Sequence, residues 1–141
     1  MASAPYLVAL TAGFFVQVVK FVAYLVSRRQ VNFTRLVATG GMPSSHSASV
    51  AALTTSVGFL EGTASTLFGV TLFFSLVIMY DAAGLRRAAG LQARVLNRIV
   101  QDHYTHRGHI GERLSELLGH TPIEVLVGAL AGVGYGLIWY V

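Results

Sequence analysis

The chain has 141 residues, enough for one domain (residues 1–141) and too few for two. Hydrophobic residues make up 54% of it and charged residues only 11%, a composition that excludes an ordinary soluble globular domain and indicates lipid as the main solvent. The net charge of +4 comes mainly from clustered Arg, and the lack of Cys excludes disulfides, thiolate metal sites and a cysteine nucleophile.

Four apolar segments predict an all-α, membrane-embedded helical bundle, because each is near the ~20 residues that a ~30 Å hydrocarbon layer requires. They cover about residues 6–26, 43–60, 64–80 and 121–141. The first is long and has no basic region before it, so it indicates a retained membrane helix and not a cleaved signal. The second is weakly apolar but rich in Ala, Ser, Thr and Gly, which favour close packing inside a bundle. Glu61 and Gly62 predict a short turn before the third.

The connections between these segments differ sharply in charge. The first holds Arg28, Arg29 and Arg35, the third holds six Arg, and the second has no Lys or Arg. The positive-inside rule therefore predicts that residues 27–42 and 81–120 are cytoplasmic and that both termini lie outside. Within the third connection, apolar residues recur at helical spacing over about residues 82–103, with Arg largely off that face. This pattern predicts an amphipathic interfacial helix between the third and fourth spans.

The second span opens on Pro43-Ser44-Ser45-His46. With Pro at the first helical position, the following N–H groups and Ser hydroxyls would form an anion site at the positive end of the helix dipole. His46 adds a group that can exchange protons near neutral pH. The alternative is an ordinary helix cap beside an interfacial His.

The fourth span opens on His120 and Glu124, which share one helix face because they are four residues apart. A carboxylate on one ring nitrogen sets the tautomer and raises the basicity of the other nitrogen, so His120 is a candidate nucleophile or base. The alternative is a capped helix start in the headgroup region. Lys20, toward the cytoplasmic end of the first span, either binds a phosphate or extends to the interface.

Asp81 closes the third span, and Arg86 and Arg87 follow it. The two Arg either mark topology or bind phosphate, with Asp81 holding one guanidinium in place. The predicted topology places all these polar residues on one side of the membrane. A metal hypothesis for His103, His106 and His109 matches no fixed ligand spacing, so we expect no metal there.

These residues resemble the divergent branch of the type 2 phosphatidate phosphatase superfamily, whose relatives include bacterial lipid phosphatases and vanadium-dependent haloperoxidases. The superfamily's three motifs are a Lys with a downstream Arg, Pro-Ser-Gly-His, and an Arg followed by His-x-x-x-Asp. They correspond to Lys20, to residues 43–46 and to residues 120–124. The branch's Tyr-Asp-Ala-x-Gly-x-Arg-Arg and Gly-His-Thr-Pro-x-Glu elements correspond to residues 80–87 and 119–124. The resemblance covers nearly the whole chain.

Three departures accompany the resemblance. Ser45 stands where the superfamily has Gly, and Glu124 stands where it has Asp. The Arg expected shortly before the nucleophile is out of register, so Arg86 and Arg87 are the preferred substitutes. The chain also has fewer spanning helices than typical lipid phosphatases of the superfamily.

The resemblance implies a small multi-pass hydrolase of the bacterial inner membrane that cleaves a lipid-linked phosphate or pyrophosphate at the cytoplasmic face. His120 would form a phosphohistidine, oriented by Glu124, and His46 would protonate the leaving oxygen. The groups implied to hold phosphate oxygens are Lys20, Ser44, Ser45, Arg86 and Arg87, with Asp81 in support. The implied partner is a phospholipid or prenyl phosphate, and we expect no cofactor and no nucleic acid.

Two further functional hypotheses stay open at this point. The same ionisable residues could form an ion or proton relay in a carrier or channel, since such residues within a membrane mark transport pathways as well as active sites. The chain could also be a catalytically inactive relative that binds anionic lipid. Separately, Gly128, Gly132 and Gly136 recur every fourth residue, which favours helix–helix packing, including that of a homo-oligomer.

Overall fold

The computed structural model describes residues 4–29, 31, 41–104, 114 and 119–140. These residues are all-α, as predicted, and contain no strand. The helices are α1 (Pro5–Arg28), α2 (Ser45–Glu61), α3 (Thr66–Ala83), α4 (Leu85–Tyr104) and α5 (Pro122–Tyr140).

The helix ends follow local sequence signals. Arg29 adopts a left-handed conformation with φ 50°, and its N–H closes α1 by donating to the carbonyl of Leu25 at 2.8 Å. The predicted turn after Glu61 is confirmed, because α2 ends there and Gly62 follows with φ 83°. α3 then begins after Ser65, whose hydroxyl accepts the N–H of Phe68 at 3.2 Å.

The start of α2 differs from the prediction. Ser44 is the N-cap, and its Oγ accepts the N–H of Ser47 at 3.3 Å. Pro43 therefore lies before the cap, and the prediction that it occupies the first helical position is wrong. The physical reason is that a Ser hydroxyl can satisfy a free N–H at a helix start, which a Pro side chain cannot do.

α2 is the centre of the bundle and packs against α1, α3 and α5. The small residues predicted to favour packing lie at these contacts, and Ala48 and Ala52 are fully buried. α5 runs parallel to α2 and contacts it through its glycines. The contact is close, because a Cβ on Gly132 would overlap the backbone of Ala48. Gly128, one turn earlier in α5, lies in the same way against Ser44, the residue that caps the start of α2. The glycine stripe is thus used within the chain, and a homo-oligomer stays a prediction that needs another surface.

Three helical stretches of the described residues are long and apolar enough to cross a membrane: Pro5–Arg28, Thr66–Gln101, which includes α3, and Pro122–Tyr140. We predicted four spans, and the one that does not qualify is α2, at 17 residues. Its position explains its composition, because a helix that faces other helices needs small side chains more than apolar ones. The helical membrane bundle itself is confirmed.

The predicted amphipathic helix is α4, which follows α3 directly after Gly84. Val95, Leu96 and Ile99 form its exposed apolar side, whereas Arg94 and Arg98 lie on the opposite side at helical spacing. This is the pattern of a helix that borders lipid on one face and water on the other.

Candidate active site

Three helix ends meet at one end of the bundle. The backbone N–H of His120 donates to the carbonyl of Ala82, at the end of α3, over 3.0 Å. The N–H of Ser44, at the start of α2, donates to the carbonyl of Glu124 over 3.1 Å. These two bonds tie the starts of α2 and α5 to the end of α3, so the predicted polar residues of all three helices lie in one place.

The start of α5 is a reciprocal capping box. Thr121 is the cap, and its Oγ1 accepts the N–H of Glu124 at 3.3 Å. In return, Oε2 of Glu124 accepts the N–H of Thr121 at 3.1 Å. Pro122 occupies the first helical position, where its missing N–H costs nothing. The box holds the Glu124 carboxylate in one orientation at the helix start.

That carboxylate also binds His120. Nδ1 of His120 lies 3.1 Å from the same Oε2, and only 3% of the His120 side chain is exposed. An ionised carboxylate at Nδ1 favours the tautomer with the proton on that nitrogen, which leaves the lone pair of Nε2 available for attack. Because the capping box fixes Glu124 and Glu124 fixes the ring, the helix start orients the candidate nucleophile.

His46 lies beside His120 but in a different environment. The two ring centroids are 6.3 Å apart and the rings are inclined by 62°. His120 is buried and held by a carboxylate, whereas His46 is exposed on the first turn of α2. A buried imidazole held by a carboxylate, beside an exposed imidazole, makes His120 a candidate nucleophile and His46 a candidate proton donor for acid-assisted group transfer.

Lys20 extends the site to α1. Its side chain is half-buried, and Glu124 lies within electrostatic range of its ammonium group. α1 continues for eight residues beyond Lys20, about 12 Å at 1.5 Å per residue, so this cation lies well inside the helix. The site therefore includes a Lys side chain within electrostatic range of the carboxylate that holds His120.

The two Ser of the second motif are not equivalent. Ser44 is fully buried, and its Oγ accepts from both the N–H and, at 3.1 Å, the hydroxyl of Ser47. Ser45 is half-buried and lies at the surface that includes His46. Ser44 therefore serves the helix start, and Ser45 is the better placed of the two to contact a ligand.

Asp81 is half-buried and directly precedes Ala82, whose carbonyl binds the backbone of His120. Arg86 and Arg87 belong to the first turn of α4, but their side chains lie outside the described part of the structure. The predicted contact of these Arg with Asp81 or phosphate therefore stays a prediction. The metal hypothesis for His103, His106 and His109 likewise falls outside the described side chains.

Two residues of the site were missing from the sequence prediction. Thr121 shapes it through the capping box, and the Thr-x-x-Glu spacing is a known signal for that motif. Gly128 shapes it by its small size, because a Cβ there would come within 2.9 Å of the backbone nitrogen of Ser44. The four-residue glycine repeat indicated packing, but only the fold shows that this glycine borders the site.

Comparison with known proteins agrees with this architecture. The chain is 41% identical over 140 residues to the uncharacterized membrane protein YuiD of Bacillus subtilis (strain 168), a match that covers 92% of this chain and 89% of that protein. No solved structure matches the chain. A family model described as the divergent PAP2 family matches residues 1–135. The chain is therefore a membrane protein that belongs to the divergent PAP2 family.

Proposed function

We propose that the protein is an integral membrane phosphatase that hydrolyses a lipid-linked phosphate or pyrophosphate through a phosphohistidine on His120. The observation that supports this most directly is the group formed by His120, Glu124 and His46, with Nδ1 of His120 held at 3.1 Å by Glu124 and the two rings 6.3 Å apart. Membership of the divergent PAP2 family supports a phosphatase-related activity.

In the first step, Nε2 of His120 attacks the phosphorus atom. The P–N bond forms as the bond from phosphorus to the ester oxygen breaks, and His46 donates a proton to that leaving oxygen. Lys20 stabilises the charge on the phosphoryl oxygens, which is the main requirement of phosphoryl transfer. Ser45, Arg86 and Arg87 are the further groups assigned to these oxygens.

In the second step, water attacks the phosphohistidine. His46, now neutral, accepts a proton from the water as the P–N bond breaks and inorganic phosphate leaves. Glu124 stays on Nδ1 throughout and stabilises the positive ring as a triad carboxylate does. The site thus returns to its starting protonation state, with a lipid alcohol and phosphate as products.

We further propose that the site lies at the cytoplasmic face of the bacterial inner membrane. The basic connections support this side, since Arg28 and Arg29 end α1 and four Arg lie in α4. The starts of α2 and α5 share that end of the bundle. In this topology both termini lie outside.

The direct test uses purified protein in detergent with a panel of lipid phosphates and pyrophosphates. Wild type should release phosphate and form an acid-labile phosphohistidine on position 120, identified by mass spectrometry, whereas His120→Ala should do neither. His46→Ala should barely form the phosphohistidine from alkyl phosphates, but it should still release a burst of p-nitrophenol from p-nitrophenyl phosphate, whose leaving group needs no proton, and then turn over slowly because the second step lacks its base. Identical behaviour of wild type and His120→Ala would contradict the proposal, and ion flux in proteoliposomes without hydrolysis would favour the carrier hypothesis.

A further inference from the structure

A groove of about 350 Å³ begins at the candidate active site and runs along the seam between α1 and α2. α1 contributes Leu10, Phe14 and Gln17, α2 contributes His46 and Val50, and α3 contributes Ile78. No Lys, Arg, Asp or Glu of the described residues lines it. His46 belongs to both the groove and the site, so the two are continuous.

The groove changes from polar to apolar along its length. Gln17 and His46 lie at one end, and Leu10 lies seven residues earlier on α1, about 10 Å away at 1.5 Å per residue. Leu10 and Phe14 are 66% and 69% exposed, so this part of the groove opens sideways. Since α1 is long and apolar enough to cross a membrane, we expect this sideways opening to face lipid.

The floor of the groove depends on a small residue. A Cβ on Gly13 would overlap the hydroxyl of Ser49, so α1 and α2 touch directly there. The apolar side chains that line the groove come from all three helices, α1, α2 and α3. At roughly 30 Å³ for a group of the size of a water molecule, the groove holds about a dozen methylene-sized groups, which suits one hydrocarbon chain.

We propose that this groove binds one hydrocarbon chain of the substrate, which enters sideways from the membrane and places its phosphate between His46 and His120. The inference rests on the proposed function, because it takes the two His as the phosphate end of the site. It specifies the substrate class as a membrane lipid phosphate with a long chain attached next to the phosphate.

The groove acts by shape and not by hydrophobic transfer. A chain that leaves lipid for the groove moves between two apolar surroundings, so little free energy is gained from burial. What the groove supplies is orientation, because a chain fixed along α1 holds the phosphorus atom within reach of Nε2 of His120. Filling the groove should therefore impair hydrolysis of long-chain phosphates and spare small soluble ones.

The test fills the groove with a larger side chain, placed either on α3 or on α1. Ile78→Trp enlarges a side chain on α3 that is 40% exposed, and Leu10→Trp does the same on α1. The matched control is Leu76→Trp, on the same helix as Ile78 and 55% exposed, but not part of the groove. The probes are hexadecyl phosphate and p-nitrophenyl phosphate in detergent micelles.

We expect both groove variants to lower kcat/KM for hexadecyl phosphate by about tenfold or more, since even a one-methylene misfit in an apolar pocket is worth about 10- to 200-fold. The ratio of their kcat/KM for hexadecyl phosphate to that for p-nitrophenyl phosphate should fall by a similar factor, whereas Leu76→Trp should keep the wild-type ratio. Wild-type hydrolysis of hexadecyl phosphate by both groove variants would overturn the groove inference and leave the phosphatase proposal intact. Wild-type protein that hydrolyses neither probe would instead refute the phosphatase proposal.

A binding measurement that needs no turnover separates the groove inference further from the phosphatase proposal. Hexadecyl phosphate with a diazirine in its chain should crosslink to α1 and α3 beside the groove, and unlabelled hexadecyl phosphate should compete. Ile78→Trp should reduce this crosslinking and Leu76→Trp should not. Crosslinks that are spread over the outer faces of the helices, without competition, would overturn the inference even if the enzyme is active.

Discussion

Replacing Glu124 by Gln tests whether the carboxylate that caps α5 also orients the candidate nucleophile. In wild type, its Oε2 accepts from Thr121 N–H and lies against Nδ1 of His120, both at 3.1 Å. Gln has nearly the same shape but carries no charge. It can still accept from one of these donors, so the change removes the charge while the helix start keeps its geometry.

The structure separates the expected effect on stability from that on activity. A hydrogen bond to a charged group contributes about 1.5–3 kcal/mol and a neutral one about 0.5–1.5, a difference of about 1–1.5 kcal/mol for each of the two bonds. Partial exposure of the Glu124 side chain reduces their sum, so we expect a loss of about 1–2 kcal/mol in the free energy of unfolding. The effect on catalysis should be larger, because loss of the carboxylate in a Ser-His-Asp triad costs about 10⁴-fold in kcat. We expect kcat of Glu124→Gln to fall by about 10²- to 10⁴-fold.

The assay is hydrolysis of p-nitrophenyl phosphate, together with thermal unfolding in detergent. The matched control is Thr121→Val, which removes the hydroxyl that accepts Glu124 N–H at 3.3 Å but leaves the carboxylate on His120. Loss of this cap should cost about 0.5–2 kcal/mol, similar to Glu124→Gln, with a much smaller loss of kcat. If the two variants lose the same activity at the same loss of stability, the carboxylate acts only as a helix cap and the orienting role is refuted.

Three further predictions concern packing and sidedness. Gly132→Ala should lower the free energy of unfolding by about 1–3 kcal/mol, because its Cβ meets the backbone of α2. Gly134→Ala, on the same helix, meets open space and should not destabilise the protein, and thermal unfolding distinguishes the two variants. Ser75→Ala should lower the free energy of unfolding by about 0.6–1.7 kcal/mol in a reversible detergent titration, because it removes a buried hydrogen bond of 2.8 Å to Thr54 and a part-buried one of 3.1 Å to the Val50 carbonyl. An unchanged midpoint would contradict this. Since the chain has no native Cys, single Cys at Thr63 and Val31 can report sidedness, and an impermeant thiol reagent on whole cells should label the first and not the second.

Much of the fold could be predicted from the sequence, because its signals are local. Hydropathy predicted the three stretches that qualify as spans, helical spacing predicted the amphipathic α4, and the turn at Gly62 was confirmed. Pro43 was misplaced because two adjacent residues, Pro and Ser, both favour helix starts and only the hydrogen bond of Ser44 decides between them. α2 does not qualify as a membrane span. Its small residues suit contact with neighbouring helices, and hydropathy carries no information about such contacts.

The residues of the site could be predicted from the sequence, but the contacts that bring them together could not. The positions of His46, His120 and Glu124 followed from motif spacing and the shared end of the bundle, which are sequence properties. The bond between His120 N–H and the Ala82 carbonyl joins residues 38 positions apart, and no local pattern encodes it. The groove beside His46 is equally non-local, since it needs side chains of three helices.

At this end of the bundle, the residues that pack the helix starts together also position the candidate catalytic residues. The N–H of Ser44 can reach the carbonyl of Glu124 only because Gly128 has no side chain, as a Cβ there would come within 3.0 Å of Ser44 Cβ. This contact helps to bring the start of α2 close to the start of α5, at the end of the bundle where His46 and His120 lie. Glu at position 124 fits the same logic, because it must span from the third residue of the helix back to the cap N–H while its oxygen stays on His120. The superfamily's Asp has one methylene less, so the longer side chain here reflects a carboxylate that serves the helix start and the candidate nucleophile together.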